Sequence, residues 1–100
     1  MSPADLRSVL VVDDDRGLRR AFADVLRSEG FRVSEAGTQP DAERAFEADG
    51  ARLVVLDLML PPSGSPEAGA ALLGRMLAAR PTAKIVIVSG TGDTTLALSL

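Results

Sequence analysis

The sequence predicts an α/β fold in which helices cover both faces of a parallel β-sheet. Three short apolar runs, VLVV (9–12), LVVL (53–56) and IVIV (85–88), are rich in β-branched residues and do not alternate with polar ones. Runs of this kind are typical of strands that are buried on both faces. Amphipathic segments separate the runs, and this alternation of strand and helix indicates parallel strands joined by right-handed crossovers.

The first half of the chain follows this alternation element by element. VLVV is the first strand, and segment 16–28 after it repeats apolar residues at helical spacing up to a stop at Gly30. FRVSEA (31–36) alternates apolar and polar residues, as expected of an edge strand. A second helix is predicted over 40–48, where Pro40 suits the first turn.

The second half begins with LVVL, followed by the Pro/Gly/Ser-rich loop PPSGSPEAG (61–69). A third helix is predicted over 67–79, and IVIV is the fourth strand. The tail DTTLALSL (93–100) predicts the opening of a fourth helix with Asp93 as its N-cap. Because neither a repeat nor a linker interrupts the pattern, residues 1–100 are predicted to form one domain.

Composition excludes several classes of function. A net charge of −3 gives no support to a nucleic-acid-binding face, and no apolar run is long enough to span a membrane. The absence of cysteine and histidine excludes disulfides, zinc sites and a histidine base, so that a metal would need oxygen ligands. The N-terminal MSPADLRS lacks the profile of a signal peptide, and we therefore expect a cytoplasmic protein.

Polar side chains follow three of the predicted strands at the points where the strands end. Asp13 and Asp14 follow the first strand, Asp57 the third and Ser89 the fourth. The carboxyl ends of parallel strands lie along one edge of a sheet, and ligands bind there where the strand order reverses. The sequence therefore predicts an oxygen-ligand site for a hard divalent cation, with Mg²⁺ as the leading candidate.

Each of these residues also has an ordinary structural interpretation. An acidic pair after a strand can cap a helix, and Asp15 is better explained as such a cap than as a ligand. Asp57 alone could be a loop aspartate, and Ser89 alone could be a turn hydroxyl. The arginines of the first helix are expected to form its solvated face. Only the joint placement of the four polar residues at strand ends favours the functional interpretation.

The motifs VLVVDDD, LVVLDLMLP and IVIVSGT, in that order, resemble the receiver domain of two-component response regulators. The resemblance covers essentially the whole chain. It implies a flavodoxin-like three-layer sandwich with a parallel sheet of strand order 2-1-3-4, truncated before the fifth strand. It also implies a switch module that takes a phosphoryl group from a sensor histidine kinase or phosphotransfer protein and catalyses at most its own phosphorylation and dephosphorylation.

The resemblance also implies a Mg²⁺ site. Asp57 matches the phosphoacceptor, and Asp13 and Asp14 match the acidic pair that holds the ion. Asp14 would be a direct ligand, whereas Asp13 would act mainly through water. The backbone carbonyl of Met59 would also reach the metal.

Two further residues match the part of the family site that receives the phosphoryl group. Ser89 matches the hydroxyl that bonds a phosphoryl oxygen and moves on activation. Gly90 matches the small residue that leaves the phosphoryl group room. Such a site suits phosphoryl transfer, which depends mostly on positioning and on neutralising the charge of the equatorial oxygens.

The sequence departs from the family pattern at its C-terminal end. The fifth strand of a receiver brings a lysine that pairs with the phosphoryl group, whereas the only lysine here, Lys84, precedes the fourth strand. It would lie about 16 Å from Ser89 at about 3.3 Å per residue. This departure favours an alternative function, a non-phosphorylated dimerisation or docking module. We also expect self-association through the exposed fourth strand or fourth helix.

Two further comparisons concern the region after Asp57. The loop before Gly69 is longer than usual and faintly resembles that of PEP-CTERM-associated regulators, whose receivers precede an ATPase and a DNA-binding output. A phosphohydrolase of the haloacid-dehalogenase kind would also use a strand-end aspartate. Such enzymes need a second aspartate two residues later, where this chain has Met59.

Overall fold

The structure, a computed structural model, describes residues 7–57, 66–88 and 94–98. The elements in chain order are β1 (Ser8–Val12), α1 (Arg16–Ser28), β2 (Arg32–Ala36), α2 (Gln39–Asp49), β3 (Leu53–Asp57), α3 (Pro66–Ala79), β4 (Lys84–Val88) and β5 (Thr94–Leu98). The sheet order is β2-β1-β3-β4-β5. The first four strands are parallel, which confirms the predicted order 2-1-3-4.

The main core lies between one face of the sheet and the helices α2 and α3. Successive side chains of a strand point to opposite faces, and Leu10 and Val12 of β1 both belong to this core. Phe46 of α2 and Met76 of α3 pack into the same cluster and are almost completely buried. The other face of β1 is also buried, and α1 packs on that side of the sheet against β1 and β2.

Local side-chain bonds set the beginnings of the first two helices. Asp15 has an extended backbone and its carboxylate accepts a hydrogen bond from the backbone N–H of Leu18, at 3.0 Å. Thr38 caps α2 in the same way, through the N–H of Asp41. The prediction that Asp15 is a helix cap is thus confirmed. The short connection from β1 to α1 therefore contains only Asp13, Asp14 and this cap.

The prediction of a helix in the C-terminal tail is wrong for the residues that the structure describes there. Thr94–Leu98 is a strand that pairs antiparallel with β4, in a register that sets Thr94 opposite Val88 and Leu98 opposite Lys84. The outer edge of β4 carries backbone N–H and C=O groups that need partners, and two adjacent threonines favour a strand. The predicted N-cap, Asp93, lies outside the described residues.

The same pairing removes the premise of the predicted self-association. That prediction depended on an open apolar edge at β4 and on a fourth helix. In the structure β4 lies between β3 and β5, so its edge is already closed within the chain.

Within the described ranges, no helix is long and apolar enough to cross a membrane.

The strand assignment of the tail can be checked by NMR. We expect the Cα chemical shifts of Thr94–Leu98 to have values typical of a β-strand, with cross-strand nuclear Overhauser effects to Lys84–Val88. The pairing of Val86 with Leu96 gives the central contact. Helical Cα shifts over Thr94–Leu98, with contacts between residues three and four apart, would instead restore the sequence-based expectation.

Candidate functional site

Three carboxylates converge at the carboxyl edge of the sheet. Asp13 and Asp14 directly follow β1, and Asp57 ends the adjacent parallel strand β3. One carboxylate oxygen from each of the three residues lies within 4.8 Å of the other two. Asp13 is buried, with 7% of its surface exposed, whereas Asp14 is exposed. The predicted convergence of these three residues is therefore present in the fold.

The backbone around Asp13 is held by neighbouring groups. Its N–H donates to the carbonyl of Ala36 at the end of β2, at 3.1 Å. Its carboxylate accepts a hydrogen bond from the N–H of Asp15, at 2.9 Å. These bonds fix the turn that carries the chain from β1 to α1, and with it the place where the acidic pair stands.

Burial and the repulsion between neighbouring carboxylates both affect the ionisation of Asp13. Burial raises the pKa of this carboxyl, and the negative charges of Asp57, Asp14 and Asp15 raise it further, while the hydrogen bond from the N–H of Asp15 acts in the opposite direction. Burial and repulsion outweigh the hydrogen bond, so the net shift is upward from the ordinary value of 3.8. The ionised form of Asp13 is thus disfavoured in the fold, mainly by burial and further by the neighbouring carboxylates.

A cluster of arginines surrounds Glu35, next to the acidic residues. Arg19, Arg20 and Arg27 each place a nitrogen 3.2 Å from the Glu35 carboxylate. Burial alone would raise the pKa of Glu35, but the hydrogen bonds from these arginines and their charges lower it. Arg19 also donates a hydrogen bond to the backbone carbonyl of Asp13, at 2.8 Å.

This role of Arg19 was not predicted from the sequence. We expected the arginines of α1 to face solvent, yet only 17% of the Arg19 side chain is exposed. Helical spacing alone does not show which side of a helix meets the neighbouring strand. The available signal was Glu35, a carboxylate in a short strand beside a helix that has four arginines.

The remaining predicted site residues, Met59, Ser89 and Gly90, lie outside the described residues. The last described residue before Ser89 is Val88, which pairs with Asp57 in the parallel register of β3 and β4. Lys84 starts β4, opposite Leu53, and is exposed at the far edge of the sheet, as the sequence predicted.

Comparison with known proteins decides the family. The family model of the response regulator receiver domain matches residues 9–100 of this sequence. The chain belongs to the response regulator receiver domain family. The receiver fold is also found in a CheY-like receiver domain protein from Methanospirillum hungatei JF-1, with a TM-score of 0.77 and 29% identity. That match covers 85% of this chain and 65% of the other.

Two curated relatives extend the comparison to longer proteins. The receiver is 35% identical over 91 residues to the C4-dicarboxylate transport transcriptional regulatory protein DctD of Rhizobium meliloti, a match that covers 91% of this chain. It is 36% identical over 84 residues to the sensory transduction protein RegX3 of Mycolicibacterium smegmatis, a match that covers 84% of this chain. The matched regions are only 19% and 35% of the lengths of these two relatives.

The raised pKa of Asp13 predicts how the receiver responds to pH in the absence of divalent cations. The folded chain holds this proton more tightly than the unfolded chain does, so stability falls as the pH rises from 3.8 through the raised value. At pH 7 the ionised carboxylate therefore lowers the free energy of unfolding. We expect Asp13→Asn to raise the melting temperature at pH 7 in the presence of a chelator, while the hydrogen bond from Asp15 is retained.

Asp24→Asn is the matched control for this substitution. Asp24 lies on α1 with 65% of its side chain exposed and pairs with Arg27 at 3.5 Å, a surface ion pair of small energetic value. Its removal should leave the melting temperature nearly unchanged or slightly lower it. Circular dichroism melts follow both variants, and a lower melting temperature for Asp13→Asn under these conditions contradicts the repulsion.

Proposed function

We propose that this receiver accepts a phosphoryl group on Asp57 from a sensor histidine kinase or a phosphotransfer protein. The observation that carries the proposal is the convergence of Asp57 with Asp13 and Asp14 at the carboxyl edge of the sheet. In open α/β sheets this edge is the usual place for ligands, at the point where strand order reverses. Here the order reverses between β1 and β3, the two strands that supply the three carboxylates.

The donor set fits Mg²⁺. Hard divalent cations take oxygen ligands, and three carboxylate oxygens lie close together here. Burial raises the pKa of Asp13 and the neighbouring carboxylates raise it further, and a bound cation would neutralise the charge of these carboxylates. Asp14 and Asp57 would hold the ion directly, Asp13 would act mainly through water, and the carbonyl of Met59 would complete the set. When bound, Mg²⁺ supplies charge neutralisation for an incoming anionic phosphoryl group.

The chain's own residues would position the transfer. A carboxylate oxygen of Asp57 forms the new bond to phosphorus as the bond from phosphorus to the donor's imidazole nitrogen breaks, and the imidazole keeps the electron pair. The hydroxyl of Ser89 would donate a hydrogen bond to a phosphoryl oxygen, and Gly90 would leave room beside it. The protein acts mostly by orientation, as phosphoryl transfer requires.

Phosphorylation would then change the surface beside the site. The segment 89–93 follows β4, whose last residue pairs with Asp57, and leads directly into β5. A movement of Ser89 toward the phosphoryl group would therefore act on the connection between β4 and β5. This gives the receiver, acting in the cytoplasm, a face whose affinity for a partner depends on the charge at Asp57.

The position of Lys84 favours one alternative function. This residue, the only lysine of the sequence, lies at the edge of the sheet opposite to the acidic site. Lys84 is therefore too far from Asp57 to pair with a phosphoryl group there. The alternative is a docking module that keeps the receiver fold and binds a partner without being phosphorylated.

Intact-protein mass spectrometry tests the proposed function. The receiver is incubated with Mg²⁺ and acetyl phosphate, and the expected product carries one phosphoryl group. Asp57→Asn should abolish the adduct, and so should a chelator. Hydroxylamine should remove the adduct from the wild type because an aspartyl phosphate is an acyl phosphate.

The matched control is Asp49→Asn. Asp49 is an exposed carboxylate at the end of α2 and accepts a hydrogen bond from the hydroxyl of Ser34. Its substitution should leave the phosphorylated fraction unchanged. An adduct that persists in Asp57→Asn places the acceptor elsewhere. If the folded wild type takes up no phosphoryl group, the docking module becomes the better account.

A further inference from the structure

One arginine of α1 connects the acidic site to the cationic cluster behind it. Arg19 donates through one terminal nitrogen to the carbonyl of Asp13, at 2.8 Å, and through Nε to Glu35, at 3.2 Å. Both side chains are largely buried, with 17% of Arg19 and 14% of Glu35 exposed. Buried, charge-assisted hydrogen bonds of this kind fix geometry more firmly than surface ion pairs do.

We propose that Arg19 is a positioning residue that sets the acidic pair for binding a divalent cation. This inference rests on the proposed function, because it requires the cation site formed by Asp13, Asp14 and Asp57. Arg19 acts through the Asp13 backbone rather than on the ion itself.

The peptide bond between Asp13 and Asp14 transmits the effect. The carbonyl of Asp13 and the N–H of Asp14 lie in one rigid plane, so a bond to the carbonyl also orients the backbone of the next residue. The preceding peptide is held as well, since the N–H of Asp13 donates to Ala36. Arg19 therefore orients the backbone unit that carries both members of the acidic pair.

Gly37 provides a second observation for this arrangement. A Cβ at this position would lie 2.8 Å from the Arg19 nitrogen that bonds Asp13, and 3.8 Å from the Asp13 carbonyl oxygen. A contact of 2.8 Å is too short for a Cβ atom, so a side chain here would displace the guanidinium. The absence of a side chain at Gly37 thus leaves space for this bond beside the acidic site.

Charge and position predict opposite effects on cation binding. A guanidinium near the site repels a divalent cation, so removing its charge alone would strengthen binding. Removing the bond to the Asp13 carbonyl would weaken binding, because the groups that orient metal ligands typically contribute about 10–100-fold to affinity. The sign of the change therefore separates a positioning role from a purely electrostatic one.

Arg20 offers a matched control. It bonds the same Glu35 carboxylate at 3.2 Å, but from the outer side of the cluster, where 57% of its side chain is exposed. Arg20→Met removes one positive charge from the cluster, as Arg19→Met does. Methionine keeps much of the length of the arginine side chain and lacks its hydrogen-bond donors.

Direct binding of Mn²⁺ tests the inference, with free ion measured by electron paramagnetic resonance and each variant shown to be folded by circular dichroism. We expect Arg19→Met to weaken Mn²⁺ binding about 10-fold or more, whereas Arg20→Met leaves it unchanged or slightly tighter. Arg19→Lys keeps the charge and one donor group, and it should bind Mn²⁺ more tightly than Arg19→Met does. This recovery would not follow if the charge alone mattered.

Two results would overturn the inference, and they can be told apart. If Arg19→Met and Arg20→Met change Mn²⁺ affinity equally, the cluster acts through its charge and Arg19 has no positioning role. If the wild type binds no Mn²⁺, or if Asp57→Asn does not abolish the binding, the proposed cation site is wrong. The inference about Arg19 is then wrong as well.

Discussion

The parallel pairing of β1 with β3 is the constraint on which the rest of the site depends. Because both strands end at the same edge of the sheet, the residues after them must stand side by side, and here these residues are aspartates. The arrangement brings carboxylate oxygens of three residues within 4.8 Å of one another, and one of these residues, Asp13, is buried. Folding thus concentrates negative charge at one place, where a bound cation can neutralise it.

Hydrogen bonds and arginines around the site hold its geometry and compensate part of this charge. Asp15 directs its carboxylate to the start of α1, where the helix dipole favours negative charge. Arg19, Arg20 and Arg27 bond to Glu35 rather than to the acidic site, and contact with the site passes through the backbone carbonyl of Asp13. Arg19 can therefore hold the geometry of the site through the backbone of Asp13.

The strands and the acidic edge could be predicted because each depends on local sequence. Apolar β-branched runs identify buried strands, and parallel topology then forces Asp13 and Asp57 together. The strand at 94–98 could not be predicted in this way, because its own pattern also fits a helix and the pairing with the edge of β4 decides between the two. The contact of Arg19 was missed because it depends on how α1 is rotated against β2, which periodicity does not fix.

A site-resolved NMR titration of the receiver with Mg²⁺ tests the central claim most directly. Backbone amide shifts should concentrate at Asp13–Asp15 and Asp57 and saturate together, with a single affinity. Asp41 and Glu47 on the exposed side of α2 should change little over the same range. Small shifts spread evenly over all exposed carboxylates, with no saturation at Asp13 and Asp57, would contradict the account.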